Sequence, residues 1–179
     1  TIPIKTTVLI SKFNIDAFFS SFLTTFILTI LFPNVWPFKK YCTKTKYTIS
    51  GMAWIDENLN GQRDESESAK SGIEVLLYNI SAKKFITDEK GNVVVKTTGE
   101  DGKYTFTNIY SGQYYVIFKY DTENYGITEY QASNVSTSQN NDAIEKLARI
   151  FDETRTIGIT NTINLNSNRS DIDIGLVEN

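Results

Sequence analysis

From Tyr47 onward the chain alternates short runs of β-branched and aromatic residues with polar turns, the spacing expected of a sandwich. The runs are YTISGMAWI, GIEVLLYNI, KKFIT, NVVVKTT, KYTFTNI, GQYYVIFKY, YGITEY, TRTIGITNTINL and DIDIGLV, and nine such strands predict two packed sheets. Between them lie Glu89-Lys90-Gly91-Asn92, Glu100-Asp101-Gly102 and Tyr110-Ser111-Gly112, each supplying a glycine for a turn. Period-two alternation names the expected core: Ile73, Val75 and Leu77; Tyr104 and Phe106; Tyr114, Val116 and Phe118; Ile172 and Ile174. Glu74, Thr105, Thr107, Tyr115 and Lys119 are expected to face outward. Residues 133–153 are polar and pass through NDAIEKLARIF, the one place with helical spacing, where a short helix is predicted.

Residues 1–46 are different material. Ala17 to Phe38 contains no charge, with Lys5 and Lys12 before it and Lys39 and Lys40 after it. A helix over residues 17–32 would span about 24 Å, short of the roughly 30 Å of a hydrocarbon core. A basic start and apolar middle also fit a signal peptide, although no small-x-small cleavage site follows. The expectation is a membrane or export segment, or a truncated remnant of a preceding domain, with a domain boundary at about residue 46 and a separately folding body over 47–179.

Charge follows the same division. Residues 1–46 carry six Lys and one acid, Asp16, for +5, and residues 47–179 carry 12 basic and 20 acidic groups, for −8. The acidic body argues against nucleic-acid binding, which needs a basic face. With 21 Thr, 21 Ile and 16 Asn against 7 Ala, the composition is that of an all-β protein. Histidine is absent, which excludes Ser-His-Asp and Cys-His nucleophiles and HExxH zinc sites. The single cysteine, Cys42, forms no internal disulfide.

One loop carries candidate chemistry. DENLNGQRDESE, Asp56 to Glu67, matches the calcium-loop pattern D-x-[DN]-x-[DN]-G-x5-E at every specified position. Asp56, Asn58 and Asn60 take positions 1, 3 and 5, Gly61 the sharp turn, Gln62 the backbone-carbonyl position, Asp64 position 9 and Glu67 position 12. Calcium is a hard cation that takes six to eight oxygens, and this loop offers oxygen at alternate positions around a bend. Its flanks are strand-like, so it is read as strand-loop-strand and not as an EF-hand. Arg63 stands where a paired EF-hand loop carries an apolar residue, so the site is expected to be solitary.

The sequence ISGMAWIDENLNGQRDESESAKSGIEVLLYN, followed by GEDGKYTFTNIYSGQYYVIFKY and DIDIGL, resembles the B-repeat (SdrD B-like) domains of serine-aspartate-repeat surface adhesins, relatives of the B-type (Cna B-like) domains of collagen adhesins. The resemblance spans roughly residues 47–177. It implies an all-β, prealbumin-like or immunoglobulin-like β-sandwich of seven to nine strands, a non-catalytic stalk segment of a Gram-positive cell-surface protein, stiffened by calcium. Carried over by position, the calcium ligands fall on Asp56, Asn58, Asn60, Gln62, Asp64 and Glu67. Relatives often carry Asp-Ser-Asp-Ala before the last strands. Here it reads Asn140-Asn141-Asp142-Ala143, leaving Asp142, Asp171 and Asp173 as weaker candidates for a second site. A Lys–Asn isopeptide cross-link, as in collagen-adhesin relatives, is not expected, since only flanking Lys46 and Asn179 are available.

The implied partners are neighbouring domains of a longer surface protein, and the location is extracellular, at the cell wall. The alternative is a module that binds a host extracellular protein through an exposed edge strand or a surface around Tyr110, Tyr114, Tyr115 and Tyr120. An enzymatic reading would rest on Asp171 and Asp173, two apart on one strand face, but no substrate cleft is implied.

Overall fold

The computed structural model describes residues 44–132, 136 and 138–179, which fall within the unit Lys44–Asn179. The apolar stretch Ala17–Phe38 and the export, anchoring or remnant role expected for it lie outside the described residues.

The alternating runs become eleven strands: β1 (Lys46–Ile55), β2 (Glu74–Asn79), β3 (Lys84–Phe85), β4 (Val95–Thr97), β5 (Lys103–Tyr110), β6 (Gly112–Lys119), β7 (Tyr125–Ile127), β8 (Ala143–Ile150), β9 (Glu153–Thr160), β10 (Ile163–Leu165) and β11 (Ile174–Glu178). Four form one sheet in the order β5-β1-β11-β7; the other seven run β3-β2-β6-β9-β8, with β4 paired to β2 and β10 to β6. Between the sheets lies a core to which every position named by the alternation contributes, from Ile73, Val75 and Leu77 through Phe118 to Ile174. The fold is an all-β sandwich, and among the described residues no helix is long and apolar enough to cross a membrane.

Three local expectations are corrected. Residues 143–150 form strand β8 instead of a helix, paired antiparallel with β9 from Ala143↔Thr160 to Ile150↔Glu153. The helix preference of Ala, Glu, Lys, Leu and Arg amounts to tenths of a kcal/mol per residue, and tertiary pairing overrides it. Phe151, at φ 55°, turns the chain tightly into β9, and Ile150 and Ile157 then bury against Leu76 and Ile117 on the outer face of the larger sheet. The run TRTIGITNTINL divides into β9 and β10, which pair with different stretches of β6. In DIDIGLV the strand begins only at Ile174, so Asp171 and Asp173 precede β11 and do not share a strand face.

β1 is the spine of the smaller sheet. It pairs antiparallel with β5 on one side and parallel with β11 on the other, with Ala53↔Ile174 to Ile55↔Leu176 in register. Fully buried Trp54 crosses Gly175 at this seam. A Cβ on Gly175 would lie 2.5 Å from Trp54 Cζ2 and 2.5 Å from Thr128 Cγ2. Neither can retreat, because a buried indole is held on all sides. Gly175→Ala is therefore expected to destabilise the domain by about 1–3 kcal/mol in urea unfolding. Gly126→Ala is the control: its Cβ would meet Val177 Cγ2 at 3.4 Å, an ordinary contact, and is expected to change stability by less than about 1 kcal/mol. Equal effects of the two would contradict this account of the seam.

Candidate metal centre

The loop begins where β1 ends. Asp56 donates its backbone N–H to Leu176 O at 2.7 Å, continuing the pairing with β11 by one residue. Its side chain is buried, and the carboxylate accepts the Gly61 N–H at 2.8 Å, the Asn60 N–H at 3.1 Å and the Thr128 hydroxyl. These bonds fold residues 56–61 back on themselves. Gly61, at φ 71°, makes the bend, and a Cβ there would stand 2.7 Å from that of Ala132.

Beyond the bend, three amides converge on one carboxylate. Asn58 Nδ2 and Asn60 Nδ2 donate to Asp64 Oδ2 at 2.8 and 2.9 Å, and Gln62 Nε2 donates to Asp64 Oδ1 at 2.9 Å. The donors from Asn58 and Asn60 hold the Asp64 carboxyl below its ordinary pKa. The loop closes through Glu67, whose two oxygens accept the N–H groups of Asp64 at 2.9 Å and Glu57 at 3.2 Å. Partial burial, and then the charges of Asp56 and Asp64, push the Glu67 carboxyl up. Asp56, Asn58, Asn60, Gln62, Asp64 and Glu67, named from sequence spacing, are thus brought into one bonded loop.

This donor set fits a hard cation. The amide hydrogens on Asp64 supply the positive charge that an ion would bring, and rotating an Asn or Gln amide exchanges its NH2 for its oxygen in place. Among the described residues no three His, Cys, Asp or Glu side chains form a group that could hold a metal ion. A cation here would depend on amide oxygens and the Gln62 carbonyl as well as the acids.

The loop is also fastened from outside. Arg63 N donates to Gln139 O at 2.7 Å and its guanidinium to Ser138 O at 2.9 Å. Next to that anchor, fully buried Asn141 donates to Thr128 O and Ala143 O at 3.0 and 2.8 Å, and its oxygen accepts the Ala143 and Gly175 N–H groups at 3.1 and 3.3 Å. Thr128 carries no motif signal, and Asn141, though it falls in the stretch Asn140-Asn141-Asp142-Ala143, is not singled out there for this role. Their roles come from contacts made across the fold, which no local pattern records.

The weaker candidates divide. Asp171 pairs with Arg169 at 3.1 Å. Asp142 and Asp173 face each other, with the Asp173 N–H donating to Asp142 Oδ2 at 3.1 Å and the Asp142 N–H to Asp173 O at 3.0 Å. Asp173 Oδ1 also accepts the Met52 N–H at 2.8 Å. Burial lifts the Asp173 carboxyl to about 7 and that of Asp142 to about 6. The tyrosine surface is corrected outright: Tyr114 and Tyr120 are core residues, Tyr115 stacks on Tyr78 across the outer face of the larger sheet, and only Tyr110 is exposed.

Fold and site together define a two-sheet β-sandwich domain with an oxygen-rich loop joining its first two strands. The chain belongs to the SdrD B-like domain family, whose model matches residues 47–176. The serine-aspartate repeat-containing protein C of Staphylococcus aureus strains MRSA252 and Newman is 40% identical over 75 residues, 41% of this chain. That match spans only 7% of the length of those relatives. Among solved structures, the minor pilin GBS52 of Streptococcus agalactiae aligns over 76% of this chain and 46% of its own, at 10% identity and a TM-score of 0.45. The shaft pilin SpaA of Lactobacillus rhamnosus GG aligns over 76% and 48%, at 14% identity and a TM-score of 0.39.

The buried Asp142 and Asp173 set a pH dependence. Their folded pKa values lie above the roughly 3.9 of an unfolded Asp, so the folded state holds protons that the unfolded chain has released. The stability they contribute is full below about pH 4 and is lost as pH rises through about 6 and 7. In chelator, unfolding free energy is expected to fall between pH 5 and pH 8 by on the order of 4 kcal/mol. Asp173→Asn keeps an oxygen for the Met52 N–H and removes the titration, so most of the fall should vanish. A slope unchanged in that variant would show that it arises elsewhere.

Proposed function

We propose that residues 47–179 form a non-catalytic, calcium-stabilised spacer in the stalk of an extracellular, cell-wall-attached protein, flanked by further domains of the same chain. The observation that carries the spacer reading is the parallel pairing of β1 with β11. Seven residues from Lys46 to Ala53 and four from Ile174 to Glu178 separate the entry of the first strand from the exit of the last. At about 3.3 Å per residue they lie roughly 36 Å apart, at opposite ends of one sheet. Tension applied along the chain then shears the β1–β11 ladder along its length instead of peeling it open.

Calcium enters at the exit end. Asp56, Asn58, Asn60, Asp64 and Glu67 would hold the ion through side-chain oxygens and Gln62 through its carbonyl. The bound charge would relieve repulsion among three acids and lock the loop that continues β1. Neutral amides among the ligands favour the modest affinity of extracellular modules, a Kd on the order of 10⁻⁴ to 10⁻³ M. The interior core does not include the loop, so the ion tightens a folded domain and is not required to fold it. Binding to a host extracellular protein is the less supported reading, since the tyrosines do not share one surface.

Titration calorimetry with calcium chloride is expected to give one site of that affinity, abolished by Asp56→Ala combined with Glu67→Ala. Calcium at ten times Kd is expected to add about 1.4 kcal/mol to the unfolding free energy, with β circular dichroism retained in chelator. Absence of calcium heat would sink the metal assignment. Loss of β signal in chelator would make the ion a folding requirement.

A further inference from the structure

The larger sheet ends in β8, which among the described residues is paired on one side only. β8 gives one edge to β9 over its full eight residues, and among the described residues no strand pairs with its other edge. Every second N–H and C=O along that edge therefore points away from the sheet, a template for another strand. Other free edges are less suited: β3 has two residues, β7 three, and β5 is interrupted by Asn108 at φ 61°. β8 contains neither proline nor glycine, and Leu147 (67% exposed) and Ile144 (40% exposed) lie on it in the open.

We propose that the outer edge of β8 is a self-association surface, pairing antiparallel with β8 of a second copy of this chain about a two-fold axis at Leu147. The strand's own sequence selects both partner and register. A two-fold axis normal to the sheet keeps faces matched, so it must pass midway between the two copies of one residue, and the numbers of opposed residues sum to twice its number. An axis at Glu145 or Lys146 sets like charges directly opposite, and one at Ala148 sets Leu147 against Arg149. At Leu147, Glu145 of each copy faces Arg149 of the other, Leu147 meets Leu147, and Ile144 meets Ile150 on the opposite face.

The side chains are free to do this. Glu145 accepts the Tyr120 hydroxyl through Oε2 at 2.8 Å, which leaves Oε1 available. Arg149 makes one loose contact of 3.7 Å with Asp152, both highly exposed. Pairing would join two larger sheets edge to edge and continue the outer apolar layer containing Ile150, Ile157, Ile117 and Leu76 across the junction. The contact is one strand wide, so the association is weak and concentration-dependent. It suits lateral contact between neighbouring copies, and it does not depend on the calcium loop.

Sedimentation equilibrium of the full chain tests it. The unmodified chain is expected to show a monomer–dimer equilibrium. Glu145→Arg and Arg149→Glu each turn both attractive pairs into repulsive ones and are expected to weaken it about tenfold or more. An equal mixture of the two variants restores opposite charges at both positions, so a heterodimer is expected where each variant alone is monomeric; that recovery also shows that both variants fold. A monomer at all concentrations, association unchanged in either variant, or a mixture that fails to recover it would overturn the proposal.

Discussion

The carboxylate of Asp56 is the constraint around which the functional end of the domain is built. A polar group buried to this extent is costly unless its oxygens are filled, and here they take the Asn60 and Gly61 N–H groups and the Thr128 hydroxyl. Each bond fixes something different: the two amides fix the bend of the loop, and Thr128 fixes the loop to the segment after β7. The backbone of the same residue extends the β1–β11 ladder. One side chain thus couples the central parallel pairing to the loop, and ordering of the loop is felt at the seam between first and last strands.

That coupling explains why the glycines cluster where they do. Gly61 lets the loop pack against the Ala132 side chain, Gly51 admits the close approach of Ile172 O and Asp173 Oδ1, and Gly175 leaves room for Trp54. In each case side-chain volume is given up beside β1 so that a polar group or an indole can approach it. The domain carries two acid-bearing regions on these terms. One is an open loop of amides and acids at the exit end, and the other is the desolvated Asp142–Asp173 contact, bridged to the first by the Arg63 anchor at residues 138 and 139.

Legibility in the sequence followed the range of the interactions. The core was readable because period-two alternation is a local record of which face is buried, and Ile73 through Ile174 lie where it places them. The loop from Asp56 to Glu67 was readable as one unit because its residues occupy twelve consecutive positions, and the structure joins them by hydrogen bonds; calcium there is the proposal. Thr128 and Asn141 were not readable, since Thr128 meets Asp56 72 residues away and Asn141 ties together Thr128 and Gly175, 13 and 34 residues from it. Residues 143–150 misled for a related reason. Their composition favours a helix, and what makes them a strand is β9, whose β-branched residues pair with them and bring Ile157 onto Leu76 and Ile117. The tyrosine surface failed because adjacent tyrosines in one strand point to opposite faces: Tyr114 inward and Tyr115 outward.

The same misreading has a physical counterpart in how β8 behaves. A strand made of helix-favouring residues has little intrinsic preference for its conformation and depends on its neighbours to hold it. One neighbour, β9, supplies half of the pairing the strand can make, and among the described residues no strand supplies the other half. Most natural edges guard this position with a bulge, a proline or inward-pointing charge. β8 has neither bulge nor proline, and its charges do more than guard it: Glu145 and Arg149, of opposite sign, are spaced symmetrically about an exposed leucine, so a second copy centred on Leu147 meets opposite charges, whereas one centred on Glu145, Lys146 or Arg149 meets like charges. Its composition therefore discourages indiscriminate edge pairing while leaving a single complementary mode open, as expected where an edge is specified for one partner.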